Sequence, residues 1–263
     1  MVHFVGAGPG APDLITLRGA SLLKGADVVI YAGSLVNPEL IRLTKKSCVV
    51  YNSALMTLEQ VMEVIQEAHA AGKEIVRLHT GDPSLYGAIR EQMDLLDELQ
   101  IPYDDTPGVS SFCGAAASLR AEYTLPSVSQ SLIITRMAGK TPVPEKEQLS
   151  LLAAHGTSMA IFLSAALLEE VQQELLQGTY TEQTPAAIVY KATWPDEQVL
   201  RCTVGTLAEC GKTHHITRTA MVLIGDFLDT GYTRSRLYDP DFSTLFRAGS
   251  DTAVSEASDE DIR

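Results

Sequence analysis

An α/β protein of two lobes, the first on a mostly parallel sheet and the second on a mixed one, is the fold class this sequence predicts. Three observations carry it. Short apolar runs alternate with helically spaced segments over residues 1–120, the pattern of strand–helix–strand units. Glycine-rich loops follow those runs, where an open parallel sheet places its ligands. A proline-broken connection, Arg136-Met-Ala-Gly-Lys-Thr-Pro-Val-Pro144, then separates this half from a second series of apolar runs. The expected layout is an N-terminal domain over 1–135, a C-terminal domain over 136–247, and an acidic tail over 248–263 that is too polar to bury and is expected to be disordered.

Val2 to Val5 reads as a short buried strand leaving into Gly6-Ala-Gly-Pro-Gly10. Thr16 caps a helix to about Ala26, with Leu17 and Leu23 expected to face inward. Asp27 to Tyr31 is the second strand. Asn37-Pro38-Glu39 is a helix start, with a capping amide, proline at the first position and an early acid. Cys48 to Tyr51 is the third strand, and Thr57-x-x-Gln60 is a capping box for a helix that buries Val61, Ile65 and Ala68 and stops at Gly72. A fourth strand, Glu74 to Leu78, leads to His79-Thr-Gly-Asp-Pro-Ser84. There Pro83 suits a first helical turn, and Leu85, Ile89, Met93 and Leu96 have helical spacing. Ile101 to Thr106 is extended, and Ser110 or Ser111 caps a small-residue helix, Phe112 to Leu119. After the strand Ser131 to Thr135, the second half offers strands at 159–163, 186–190, 199–204 and 220–224. Helices at 167–176 and 207–211 lie between some of them, and Trp194-Pro-Asp-Glu-Gln198 reads as a hairpin connection.

Composition narrows the function. The chain has 263 residues, 33 acids and 20 bases, a formal net charge of −13. Five acids and Arg263 fall in the tail, leaving −9 in the rest. That balance argues against a nucleic-acid surface, which needs a basic footprint. No apolar run approaches the ~18 residues of a membrane span. Cysteines 48, 113, 202 and 210 are widely spaced and read as buried thiols of a reducing compartment, so a soluble cytoplasmic protein is expected.

Familiar catalytic signatures do not occur. There is no G-x-S-x-G, no H-E-x-x-H and no G-x-x-x-x-G-K-[ST]. His214-His215 lack metal-ligand spacing. Gly6-x-Gly8-x-x-Ala11 approaches a dinucleotide fingerprint, but Pro9 and Pro12 oppose an immediate helix start. The second strand also ends in Tyr-Ala-Gly where a ribose-binding acid would stand. What remains is a set of small-residue loops at strand ends, chief among them Gly81-Asp82-Pro83. Gly81 admits a close backbone approach and Asp82 brings a carboxylate. Asp82 reads as a hydrogen-bond partner for a bound cofactor, as a turn former, or as a base. His79 is either a substrate contact or a hydrogen-bonded structural histidine.

Those loops, in this order, resemble the tetrapyrrole (precorrin) methyltransferase family. The matching stretches are Val5-Gly-Ala-Gly-Pro-Gly10 with Leu14-x-Thr-Leu-Arg-Gly-Ala20, Ala26 to Tyr31, Gly81-Asp82-Pro83, Pro107-Gly-Val-Ser-Ser111, Ala186 to Thr193, and Thr219 to Gly225. Tyr31-Ala-Gly-Ser-Leu-Val-Asn-Pro-Glu39, His79 to Pro83 and Arg136 to Pro142 look like the branch that methylates carbon 11 of precorrin-4, metal-free or cobalt-bearing, in cobalamin biosynthesis. The resemblance implies S-adenosyl-L-methionine as methyl donor in a cleft between two domains, S-adenosyl-L-homocysteine as product, a precorrin as acceptor, and a homodimer. Carried over by position, it places Pro9, Thr80, Gly81, Asp82, Leu85, Ser110, Ser111, Leu163, Ala192 and Ala220 along the cofactor. The chain departs from the uroporphyrinogen methylases after the second strand, where their acid is replaced by Ala32-Gly33-Ser34, so no proton acceptor is assigned. An acceptor rich in carboxylates in an acidic protein needs local cations. Arg136 and Lys140 are the candidates, with His79 and Arg18 behind them and Tyr31 as a neighbour. Arg136 and Lys140 fit a solvated interdomain loop equally well. Two other readings stay open: a fold-related, diphthine-synthase-like enzyme that methylates a protein, and a non-catalytic nucleotide sensor.

Overall fold

The computed structural model describes residues 1–229 and 231–250, so the expected acidic tail lies, from residue 251, outside the described residues. The first lobe contains β1 (Val2–Gly6), α1 (Leu17–Gly25), β2 (Val28–Tyr31), α2 (Pro38–Ile41), β3 (Val49–Asn52), α3 (Leu58–Ala70), β4 (Ile75–His79), α4 (Arg90–Glu98), β5 (Tyr103–Thr106) and α5 (Ser111–Leu119). The second contains β6 (Leu132–Arg136), α6 (Leu149–Ala153), β7 (Ser158–Phe162), α7 (Leu168–Gln177), β8 (Pro185–Tyr190), β9 (Gln198–Thr203), α8 (Leu207–Thr213) and β10 (Ala220–Ile224).

The first sheet is parallel throughout, in the order β3-β2-β4-β1-β5. Its central strands β1 and β4 are buried along their whole length because both faces are covered, one by Val61, Ile65 and Leu96 and the other by Leu23, Val36 and Leu40. The register decides where the loops meet: Gly6 lies opposite His79 and Val5 opposite Thr106, so three adjacent strands end level. The second sheet is mixed, in the order β6-β7-β10-β8-β9. β10 runs antiparallel to β7 and β8, so its first residue, Ala220, lies beside Tyr190 at the end of β8.

Several expectations are corrected. β6 hydrogen-bonds to β7 and belongs to the second sheet, so the passage between sheets falls between α5 and β6, ahead of the expected boundary at 135/136. The alanine-rich α5 also packs on the second sheet, its Ala115 and Leu119 clustering with Ala187, Val189 and Leu223. Apolar pattern marks a strand but not the sheet it joins. Leu17 faces outward, 92% exposed. Gly19 and Leu23, four residues apart, set the inner face of α1, and Gly19 sits so close to β1 that a Cβ there would meet Val5 Cγ1 at 3.0 Å. No helix starts at Pro83, because left-handed backbone at Tyr86 (φ +59°) and Ala88 (φ +49°) breaks the chain before α4 begins at Arg90. All four cysteines are free, but Cys113 is exposed and the others only half-buried, so none is a fully buried thiol. Burial, with Cys210 beside it, pushes the Cys202 thiol up to about 12. No helix among the described residues is long and apolar enough to cross a membrane.

Candidate functional site between the two sheets

The level ends of β1, β4 and β5 bring three glycine loops into backbone contact. Gly8 and Gly81 exchange hydrogen bonds, Gly81 N donating to Gly8 O at 2.9 Å and Gly8 N to Gly81 O at 3.2 Å. A Cβ on Gly6 would stand 2.5 Å from Gly108 Cα, and one on Gly108 would stand 2.1 Å from Gly81 O. Asp82 locks two of these loops together. Its Oδ1 accepts from Ser84 N at 2.9 Å and from the Ser84 hydroxyl, and its Oδ2 accepts from Gly108 N at 2.9 Å. Burial alone would raise this carboxyl, but the hydrogen bonds from Ser84 and Gly108 outweigh it and hold the pKa below the ordinary aspartate value.

The second lobe closes over these loops through the turn after β8. Thr193 Oγ1 accepts from Ala11 N at 2.9 Å, and Trp194 Nε1 donates to Pro9 O at 3.2 Å. Glu197 braces the turn, accepting from Thr193 N at 2.5 Å and from the Ser118 hydroxyl of α5 at 2.6 Å. The indole lies on bare backbone, since a Cβ on Gly10 would meet Trp194 Cδ1 at 2.0 Å. Trp194 is the chain's single tryptophan. Its turn reads from sequence only as a hairpin connection, and nothing there signals that it spans the two lobes.

Between the lobes lies a cleft of about 480 Å³, within the range of small-molecule sites. All ten residues that the resemblance places along a cofactor line it. Pro9 follows β1, while Thr80, Gly81, Asp82 and Leu85 follow β4, and Ser110 and Ser111 open α5. Leu163 follows β7, Ala192 follows β8 and Ala220 opens β10. The sequence reading missed Tyr86, Phe162, Lys191, Trp194 and Arg218, which also line it. Four non-glycine lining residues hold left-handed backbone, Tyr86, Leu163 (φ +54°), Lys191 (φ +48°) and Thr219 (φ +53°), a conformation that costs each on the order of 1–2 kcal/mol. Such strain collects at binding sites, and only the folded arrangement reveals it.

The five proposed acceptor contacts do not line this cleft. Arg136 lines a second cavity of about 340 Å³, and its guanidinium donates to the carbonyls of Met137, Thr141 and Pro142, which fastens its own loop. Lys140 and Arg18 are exposed on the surface, and Tyr31 is half-buried at the end of β2, where its carbonyl accepts from the Ser53 hydroxyl at 3.0 Å. The cations that do line the cleft are Lys191 and Arg218. Lys191 Nζ lies 2.5 Å from Asp196 and 5.3 Å from the centre of the Trp194 ring.

His79 is buried, only 3% exposed, with Phe4 6.0 Å away ring to ring and a buried Nε2 that has no hydrogen-bond partner among the described residues. Burial, aided by the nearby Arg77 charge, pushes its pKa down to about 3. Arg77 is itself buried and donates to Gln92 Oε1 and Ile30 O. A histidine depressed in the folded state and near 6.5 in the unfolded chain charges only on unfolding in the window between. Its contribution to stability is therefore intact above about 6.5 and lost as pH falls toward 3, at up to about 1.4 kcal/mol per pH unit. In urea unfolding at pH 7, 5.5 and 4.5, His79→Leu should gain on the native protein as pH falls. A gap that stays constant across the three would refute the assignment.

Comparison with known proteins follows the same lines. The family model for tetrapyrrole (corrin/porphyrin) methylases matches residues 1–208. A cobalt-precorrin-4 C(11)-methyltransferase of Methanocaldococcus jannaschii is 50% identical over 247 residues, covering 94% of this chain and 95% of that protein. A precorrin-4 C(11)-methyltransferase of Pseudomonas aeruginosa is 43% identical over 249 residues, covering 94% and 99%. Among solved structures, a cobalt precorrin-4 methyltransferase superposes with a TM-score of 0.85 at 46% identity, over 87% of this chain and 96% of that one.

Proposed function

The chain belongs to the tetrapyrrole methylase family, and from that premise we propose that it transfers the methyl group of S-adenosyl-L-methionine to carbon 11 of precorrin-4 or its cobalt form, in cobalamin biosynthesis. One observation carries the choice of acceptor. Identity is 41–50% to relatives named for precorrin-4 and falls to 29% for the uroporphyrinogen-III methyltransferase of Bacillus subtilis. The cleft suits the donor: it is walled by loop backbone, hydroxyls, alanines and larger apolar side chains such as Leu85, Phe162 and Met221, and its single carboxylate among the described residues, Asp82, is already held by the protein. Pro9, Thr80, Gly81, Leu85, Ser110, Ser111, Leu163, Ala192 and Ala220 would hold it. Bound there, the sulfonium supplies an activated methyl group, so the residues' work is alignment of donor and acceptor and exclusion of water. That division of labour accounts for a site with, among the described residues, one acid and two cations. Lys191 and Arg218 are the nearest cations for the acceptor's carboxylates. The homodimer implied by the resemblance belongs to the same proposal.

Labelled S-adenosylmethionine incubated with metal-free and with cobalt-containing precorrin-4 should give a monomethylated product carrying label at carbon 11. Calorimetry should show about one S-adenosylhomocysteine per chain and no binding of NADH. Label entering neither substrate, or tight NADH binding in place of S-adenosylhomocysteine, would sink the reading.

A further inference from the structure

Tyr86 belongs to both cavities, the 480 Å³ cleft and the 340 Å³ cavity along β6. Its ring is 44% exposed and rests against Phe162 at the end of β7, centres 5.2 Å apart. The backbone that presents it is fixed and strained. Leu85 N donates to Asp82 O, a Cβ on Gly87 would meet Pro83 O at 2.1 Å, and Gln92 Nε2 donates to the carbonyl of the left-handed Ala88 at 2.9 Å. A solvent-facing aromatic kept in left-handed backbone and seated on a partner from the other lobe serves no packing need that leucine in ordinary backbone would not meet. On its far side Val143, Pro144 and Leu152 make an apolar wall, with Arg136 and Glu147 beside it.

We propose that Tyr86 is a positioning residue for the methyl acceptor: its ring, backed by Phe162, forms the partition between the donor cleft and the β6 cavity. The macrocycle lies across that edge with one side of its periphery in the second cavity. This rests on the methyltransferase reading above. The conjugated part of a reduced tetrapyrrole makes a favourable contact with an aromatic ring, and that contact also fixes which ring carbon faces the cleft. The second cavity is the volume that the donor does not fill.

The test uses the full chain, S-adenosylmethionine carrying a 13C methyl, and precorrin-4. Tyr86→Ala should raise the KM for precorrin-4 about tenfold, equivalent to about 1.4 kcal/mol. It should place part of the 13C label at carbons other than 11, and leave S-adenosylhomocysteine affinity within about twofold by calorimetry. Tyr86→Phe, which keeps the ring, should recover most of the acceptor affinity and the single product. Tyr86→Leu replaces the alanine variant if that one fails to fold. Loss of S-adenosylhomocysteine affinity in step with KM, unchanged KM with a single product, or a phenylalanine variant as poor as alanine would each overturn the role while native transfer persists. Absence of transfer by the native protein would overturn the parent reading and this one with it.

Discussion

Gly108→Ala is expected to abolish cofactor binding and to lower stability by about 3 kcal/mol or more, at or above the upper end for overpacking a closed core. A Cβ at 108 would lie 2.1 Å from Gly81 O, 2.8 Å from Gly6 Cα and 3.0 Å from Gly6 C. Every one of these atoms is backbone, so no side-chain rotamer relieves the clash. The loops themselves must part, and Gly81, which lines the cleft, moves with them. The amide that Gly108 donates to Asp82 is displaced as well. Gly25→Ala is the control: it ends α1 with nothing within 4 Å of an added Cβ, and should be stabilising by about 0.4–1 kcal/mol. Chemical denaturation of both variants, with an S-adenosylhomocysteine titration of each, checks the pair. A Gly108→Ala protein of native stability and affinity would show that the loops yield, and that their interlock does not shape the site.

That contrast marks what the sequence could disclose. Strand positions were legible because β2 and β8 are continuous apolar runs and β1 and β4 are mostly apolar, broken by His3 in one and by Arg77 and His79 in the other, and α3 because its capping box and its i, i+4 face agree. The ten residues of the cleft were legible through the family's ordered loops, each short and fixed in place at a strand end. Long-range partners were not. β6 and α5 look like further units of the first sheet, and only hydrogen bonding to β7 and packing on Ala187 and Val189 assign them to the second. Arg136 looked like a free cation because its three partners are carbonyls, which sequence does not mark. Tyr86, Lys191 and Thr219 were invisible because their distinguishing feature is a backbone angle that those residue types rarely adopt. Trp194 was placed in its turn correctly, yet its partner lies in the other lobe at Pro9.

Asp82→Asn should lower stability at neutral pH by about 1–3 kcal/mol, the range for losing a hydrogen bond to a charged acceptor, and weaken S-adenosylhomocysteine along with it. The carboxylate now accepts at both oxygens, from Ser84 on one side and Gly108 N on the other. An amide can serve only one side. If its oxygen stays on Gly108 N, its NH2 faces Ser84 N–H, and the reverse placement leaves Gly108 without an acceptor. The Ser84 hydroxyl can rotate to accept, but a backbone amide cannot. A turn requirement alone would make asparagine nearly neutral, since asparagine forms the same turns. The pKa adds an independent signature. Asp82 is depressed in the folded state, so its contribution is complete above the unfolded value near 3.9 and is lost as pH falls through the lower folded value. The gap between native protein and variant should therefore narrow in acid. Melting curves and S-adenosylhomocysteine titrations at neutral and acidic pH separate the possibilities. Weakened affinity at unchanged stability would mean that the carboxylate serves the cofactor directly, and unaltered affinity with reduced turnover would make it a base. Loss of both together, with the gap closing in acid, is the result that the clamp between Ser84 and Gly108 requires.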